Sequence, residues 1–292
     1  MKQKHALTGA KRIGTKHRVA GGGGLGLSVH EWGNANGAPI LFIHGFSQSY
    51  LSWAAQYESS LADRFRLVAM DLRGHGESDK PLEAANYTDG ARWADDVAAV
   101  IGALGLKRPV LVGWSYGGFV LCDYVKRHGE GAVAGLNFVG AAVRLTPAFE
   151  MLGPGFLENA EGTMSPDLAT RIQSVRNFVR ACTAKAVAAD DFDTTVAFNM
   201  VVPVEVKAGM VSRQLNFDDV LAGLSIPVLV THGRDDRMVL PTMSEHLAAI
   251  APQVQTSFYD GVGHMPFLED SERFNRELAA FTELASRKGE KT

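Results

Sequence analysis

The sequence predicts an α/β fold in which a mostly parallel sheet carries helices on both faces and a helical lid is inserted between two of its strands. Three observations carry this expectation. Continuous apolar runs alternate with segments of helical periodicity. Three of the runs end in sharp turns, at His44-Gly45, after Asp71 and at Gly113, and parallel sheets bind ligands beyond the carboxyl ends of their strands. The alternation stops from about Leu145 to Gly223 and then resumes.

Composition narrows the function. The 292 residues suit one large domain with an insertion. A net charge of −3 argues against a nucleic-acid partner, which a basic stripe would signal. The two cysteines, Cys122 and Cys182, lack disulfide or zinc spacing and are expected as buried thiols. No apolar run reaches the roughly 18 residues of a membrane helix. Residues 1–18 carry Lys2, Lys4, Lys11, Arg12, Lys16 and Arg18 with no acid and no apolar signal core. They read as a solvated basic arm on a cytoplasmic protein with no membrane partner.

Taken in order, His17–Ala20 and Leu25–Trp32 flank the run Gly21–Gly24 and read as a hairpin. The glycine run is no phosphate loop, because no Lys-Ser/Thr follows it. Ala38–Ile43 and Phe65–Met70 are buried parallel strands. A helix is expected from Ser52, and another from Thr88 to Leu104 on the spacing of Trp93, Val97, Val100 and Ile101. Val133–Val139 is a further strand. In the insertion, Ser165-Pro166-Asp167 reads as a helix start with Ser165 as the cap. Helices are also expected at Asp190–Met200 and Pro203–Leu215. The insertion is rich in Met and Phe, Phe149 and Phe156 among them, and its buried face is expected against the carboxyl edge of the sheet. Ile226–Gly233, Pro241–Ile250, Val254–Tyr259 and Glu269–Ala285 complete the chain as strand, helix, strand and helix. The expected units are 19–144 with 224–288 as core, 145–223 as lid, and the arm.

The stretch Pro109–Val120 organises the chemistry. An apolar run ends at Gly113, Ser115 follows, then Gly117-Gly118 and a helical segment. On such a strand–turn–helix the serine hydroxyl projects into open space, and the N–H of Tyr116 sits at a helix N-terminus that favours negative charge. A serine hydroxyl needs a base, and the base needs an acid to fix its tautomer. Of nine histidines, His5 and His17 lie in or beside the arm, His128 and His246 on helices, and His30 in a strand. His44, His75 and His232 precede glycines at turns, where imidazoles serve as structural hydrogen bonders. His264 follows the last strand in a loop and is the candidate base. Asp235 and Asp236 both end a strand, and one of them can reach inward. The other is left to solvent, paired with Arg234 or Arg237.

The set His44-Gly45-Phe46, Asp71–Ser78, the Ser115 elbow, His232–Arg237 and Gly261–His264, in the order Ser, acid, His, resembles the α/β-hydrolase superfamily from about Val19 onward. The resemblance selects Asp236 as the acid, with Asp235 as the fallback. It also implies an oxyanion hole from the backbone N–H groups of Phe46 and Tyr116, and leaves Asp71 and His75 outside the site. Ser115 stands where dehalogenases and epoxide hydrolases of the superfamily carry Asp. The implied activity is hydrolysis of small to medium carboxylic esters, or lactones, without metal or cofactor. The alternatives are a cofactor-free haloperoxidase or perhydrolase and a carbon–carbon bond hydrolase on the same triad. A small-molecule sensor on this fold is the non-enzyme alternative. Oligomeric state is not addressed by these residues.

Overall fold

The computed structural model describes residues 12–146, 150–252 and 254–289. Lys2, Lys4, His5 and Lys11 of the basic arm and Phe149 of the insertion lie outside them. The first strand, β1 (Thr15–Ala20), pairs antiparallel with β2 (Gly26–Gly33), Val19 lying opposite Leu27. Lys16 and Arg18, expected in the arm, therefore lie in the sheet. They pair with Glu77, at 2.9 Å, and with Asp79 respectively.

The chain continues through β3 (Pro39–Ile43), the short helices α1 (Ala54–Tyr57) and α2 (Leu61–Arg64), and β4 (Arg66–Met70). Next come α3 (Ala85–Thr88), α4 (Gly90–Ala103), β5 (Val110–Trp114), α5 (Gly117–His128) and β6 (Gly135–Val139). Helix α4 begins where the Asp89 carboxylate accepts the N–H of Ala91 at 2.9 Å, satisfying one of the orphan donors of a helix start.

The segment between β6 and the next core strand holds β7 (Arg144–Leu145), α6 (Pro154–Leu157), α7 (Leu168–Ala181), α8 (Ala189–Val201), α9 (Val204–Val211) and β8 (Leu215–Asn216). Two expectations are corrected here. The cap of α7 is Asp167, whose carboxylate accepts the N–H of Thr170 at 2.7 Å. Ser165 instead accepts the N–H of Asp167 at 3.2 Å, so the serine shapes the turn and the charged group takes the helix end. Helix α9 stops at Val211 instead of Leu215, because Leu215 pairs with Leu145 and Asn216 with Arg144. That two-residue ladder ties the two ends of the insertion together.

The chain closes with α10 (Asp218–Ala222), β9 (Val228–Gly233), α11 (Pro241–Ile250), β10 (Val254–Tyr259), α12 (Pro266–Glu269) and α13 (Ser271–Gly289). The main sheet has the order β1-β2-β4-β3-β5-β6-β9-β10. From β4 to β10 all neighbours are parallel. Strands β5, β6 and β9 are buried along their whole length, which is why they read as mostly apolar runs, with Asn137, Thr231 and His232 as the polar residues. Trp53, Trp93 and Trp114 are fully buried in the core. Cys122 and Cys182 are buried free thiols. Among the described residues no helix is long and apolar enough to cross a membrane.

Candidate active site

Ser115 sits between the end of β5 and the start of α5 with φ of 55°. For a side-chain-bearing residue this conformation costs about 1–2 kcal/mol. Its backbone is held by Ser115 N–H to Val139 O at 3.0 Å and by Ala142 N–H to Ser115 O at 3.0 Å. The flanking glycines are close approaches. A Cβ on Gly113 would fall 2.7 Å from the carbonyl oxygen of Gly117, and one on Gly117 would fall 2.6 Å from that of Ile43. Helix and strands therefore press on the turn from both sides, and the serine is pushed to the carboxyl end of the sheet.

The loop after β3 passes directly beside the serine, since a Cβ on Gly45 would lie 2.8 Å from Ser115 Cβ. Phe46 follows it, and both Phe46 and Tyr116 border the same cavity as Ser115. Two buried histidines pin this loop. His44 donates from Nδ1 to Gly45 O at 2.8 Å and accepts the Leu72 N–H at 3.0 Å. His75 donates from Nδ1 to Arg73 O at 2.9 Å and accepts the Ser47 N–H at 3.2 Å. Burial pushes His44 down to about 4 and His75 well below its ordinary value, so both stay neutral and keep one donor and one acceptor face. Asp71 is likewise engaged by the loop, taking the N–H groups of Tyr50 and Glu77, each at 2.9 Å.

Asp236 and His264 come together from the loops after β9 and β10. His264 Nδ1 lies 2.7 Å from Asp236 Oδ2, and both residues are buried. The other carboxylate oxygen takes the N–H groups of Met238, at 2.7 Å, and Val239, at 3.1 Å. Burial by itself would raise the Asp236 carboxyl. The two imidazoles of His264 and His232 overcome it and hold the group well below the usual carboxylate range. With a carboxylate at Nδ1, the proton of neutral His264 is assigned to that nitrogen and Nε2 keeps its lone pair. Asp235 is exposed and gives only its backbone N–H, to Val262 O at 2.9 Å. The expected partner Arg234 is instead 3.2 Å from Asp260.

Gly140, at the end of β6, joins the two halves. A Cβ there would lie 3.1 Å from His264 Nδ1 and 3.3 Å from Asp236 Oδ2. The preceding residue, Val139, accepts the Ser115 N–H, and Trp114 Nε1 donates to His264 O at 2.9 Å. Asp236 and His264, from the loops after β9 and β10, thus meet beside Gly140 and Trp114, the neighbours of Val139 and Ser115 at the carboxyl edge of the sheet.

The cavity at Ser115 measures about 40 Å³. Its walls are apolar: Phe119 and Ala142 from the core, Met238 and Val239 from the acid's loop, and Phe156, Phe178 and Val211 from the insertion. A larger open cleft of about 490 Å³ lies along α7 and the start of α8 and holds none of the expected site residues. Among the described residues His30, Asp71 and Glu77 bring possible metal-ligand atoms within 4.8 Å of one another. The Asp71 oxygens are already taken by backbone donors, and Lys16 sits 2.9 Å from Glu77, so the protein balances this cluster itself.

Two features escaped the sequence. Arg213 reaches from the insertion to donate to Tyr116 OH at 3.2 Å and to fork onto Asp123 at 2.8 and 2.9 Å, all three residues being buried. His232 lies with Nε2 3.0 Å from Asp236 Oδ2. Its i, i+4 spacing to Asp236 across a turn was the available signal.

The profile of the alpha/beta hydrolase fold family matches residues 38–271. The chain belongs to that family. Within this hydrolase-fold family, an esterase from Rhodococcus sp. ECU1013 superposes with a TM-score of 0.87 at 36% identity, covering 92% of this chain and 98% of that one. A non-heme haloperoxidase from Rhodococcus erythropolis is 27% identical over 278 residues, 91% of this chain and 98% of its own. A bifunctional esterase/perhydrolase from Acinetobacter calcoaceticus is 28% identical over 283 residues, 88% and 96% of the two chains.

Proposed function

We propose that this α/β-hydrolase cleaves small to medium carboxylic esters, lactones included, through an acyl-enzyme on Ser115. The observation that carries the reading is the buried 2.7 Å contact between Asp236 and His264 at the same sheet edge as a serine held at φ of 55°. Ser115 Oγ attacks the carbonyl carbon while His264 Nε2 takes its proton. Asp236 keeps the proton of His264 on Nδ1 and stabilises the imidazolium that forms. The N–H groups of Phe46 and Tyr116 receive the oxyanion. His264 returns its proton to the leaving alcohol, and water then attacks the acyl-enzyme by the same route in reverse. No step draws on a metal or organic cofactor.

In this reading, 145–223 is a cap. It supplies Phe156, Phe178 and Val211 to the cavity wall, and an apolar wall recognises acyl groups by size. A cavity of about 40 Å³ takes about three water-sized groups at 10–15 Å³ each, which favours short acyl chains. The likeness to a non-heme haloperoxidase and to a bifunctional esterase/perhydrolase supports a second reading, in which hydrogen peroxide replaces water as the acceptor of the acyl group. Chromogenic esters, with and without peroxide, separate the two.

The test is Ser115→Ala. Loss of a triad nucleophile costs on the order of 10⁶ in kcat, and removal of one hydroxyl at a turn should change stability by less than about 1 kcal/mol. A folded variant with more than about a tenth of wild-type esterase activity contradicts the assignment.

A further inference from the structure

The geometry points to His232 as a second imidazole on the acid, a positioning residue that orients Asp236 and tempers the basicity of His264. The inference rests on the hydrolase reading above. It arises from a side chain that the proposed mechanism leaves unused. His232 is fully buried at the end of β9, and every polar atom on its ring is engaged. Nδ1 lies 2.6 Å from Ser244 Oγ on α11. Nε2 lies 3.0 Å from Val239 O and 3.0 Å from Asp236 Oδ2.

Two acceptors at Nε2 require that nitrogen to carry a proton, and Ser244 then donates its hydroxyl hydrogen to Nδ1. Asp236 Oδ2 therefore lies against two imidazole nitrogens, His264 Nδ1 at 2.7 Å and His232 Nε2 at 3.0 Å, the single Nε2–H of His232 being shared with its hydrogen-bond acceptor Val239 O. Its Oδ1 takes two backbone N–H groups from the 238–239 segment. A buried carboxylate with this many donors is fixed in orientation, and the charge it presents to His264 is shared. The alternative acceptor, Val239 O, gives the His232 proton somewhere to rest as His264 becomes imidazolium and draws more strongly on Oδ2. The same turn thus holds the acid and adjusts how much of its charge the base feels.

The other groups around this pair come from three directions. Cys182, at the end of α7, accepts the His264 N–H through its carbonyl at 2.9 Å. Its buried thiol is pushed up by burial first and by Asp236 and Glu269 next. Glu269 of α12 accepts the N–H of Gly263, the residue before His264, at 2.9 Å, and that of Ala184 at 2.8 Å. Lys185 reaches toward Gly261. Of these, only His232 places a proton donor against the carboxylate oxygen that serves the base.

The experiment compares His232→Leu, which removes the donor, with His232→Gln, whose amide N–H can occupy the place of Nε2–H. The readout is the acid limb of the kcat/KM profile on a short p-nitrophenyl ester, with kcat and KM determined separately and folding checked by thermal melt. Concentrating the Asp236 charge on His264 should move the limb of His232→Leu upward by about half a unit to one unit. The kcat should fall about tenfold with KM little changed, the scale on which an orienting partner behind a functional ligand acts. His232→Gln should return the limb to within about 0.2 unit of wild type. Ser244→Ala, which removes the hydroxyl that donates to Nδ1 and so loosens the hold on the ring, should move the limb in the same direction by less, and it serves if His232→Leu does not fold. A folded His232→Leu with an unmoved limb overturns the inference, as does a His232→Gln limb displaced as far as that of Leu. Ser115→Ala and Asp236→Asn run alongside. If they keep wild-type turnover, the hydrolase reading and this inference fall together. If they abolish it while the His232→Leu limb stays fixed, only the role of His232 falls.

Discussion

Replacing Phe156 by Ala should lengthen the acyl chain that this protein prefers. The rings of Phe156 and Phe178 stand on the cap side of the cavity with centroids 6.3 Å apart, and they lie 6.1 and 6.0 Å from the ring of Phe46. The three rings bound a space of about 40 Å³, so the wild-type protein should work best from acetate to butyrate. Deleting one phenyl ring opens room for roughly four methylenes, each contributing about 0.8 kcal/mol or fourfold in kcat/KM when buried. The ceiling is about 3 kcal/mol, and partial exposure of the opened space lowers the expected gain on octanoate relative to acetate to about 10- to 100-fold. Phe156 is only partly buried, so the stability cost should stay below the roughly 3–5 kcal/mol of a fully buried Phe→Ala change. The assay is kcat/KM over p-nitrophenyl esters from acetate to palmitate, for both proteins. An unchanged optimum in a folded variant would refute the view that these rings set acyl length. A wild-type optimum at palmitate would refute it more directly, because the cap would then open onto a long groove.

Asp236→Asn and Asp235→Asn should behave very differently. The first leaves His264 facing an amide and should lose about 10⁴ in kcat, the scale known for the equivalent change in serine proteases. The second alters an exposed carboxylate and should change kcat less than about twofold; swapped results would move the acid by one residue. Lys207 is fully buried and donates to Thr163 O at 3.3 Å, with no carboxylate in an ion pair with it among the described residues. Burial pushes it down to about 8. The folded state therefore releases this proton before the unfolded chain does, and stability should rise with pH from about 8 toward the free lysine value near 10.4. Lys207→Met should abolish that rise and stabilise the protein at pH 7 by up to about 3 kcal/mol, as read by urea unfolding at pH 7 and pH 10. A variant less stable than wild type at pH 7 would show that the ammonium has a favourable role in the cap.

Much of the fold was legible because it is written in short-range pattern. Strands buried on both faces are mostly apolar, so β3, β5, β6 and β9 could be read one at a time despite Asn137, Thr231 and His232. The elbow at Ser115 was legible for a similar reason, since two glycines are needed where helix and strand crowd a turn. The cap of α7 was read two residues too early because Ser165 and Asp167 both suit a helix start, and only the carboxylate reach to Thr170 separates them.

Other features depend on which distant segments meet. The sequence by itself determined the α/β alternation, the inserted helices, the elbow and the set of residues able to act as nucleophile, base and acid. Residue type and spacing suffice for these, because they follow from local sterics and burial. The resemblance already favoured Asp236 over Asp235, but only the tertiary structure showed the first buried and the second exposed, brought His232 Nε2 to 3.0 Å from Asp236, and closed Arg213 onto Tyr116 and Asp123. It also decided that Leu145 pairs with Leu215 across the base of the insertion, and how little space remains over Ser115. Each of these depends on the relative placement of side chains from elements far apart in the chain, and close packing sets that placement to within a few tenths of an ångström only after the whole sheet has assembled.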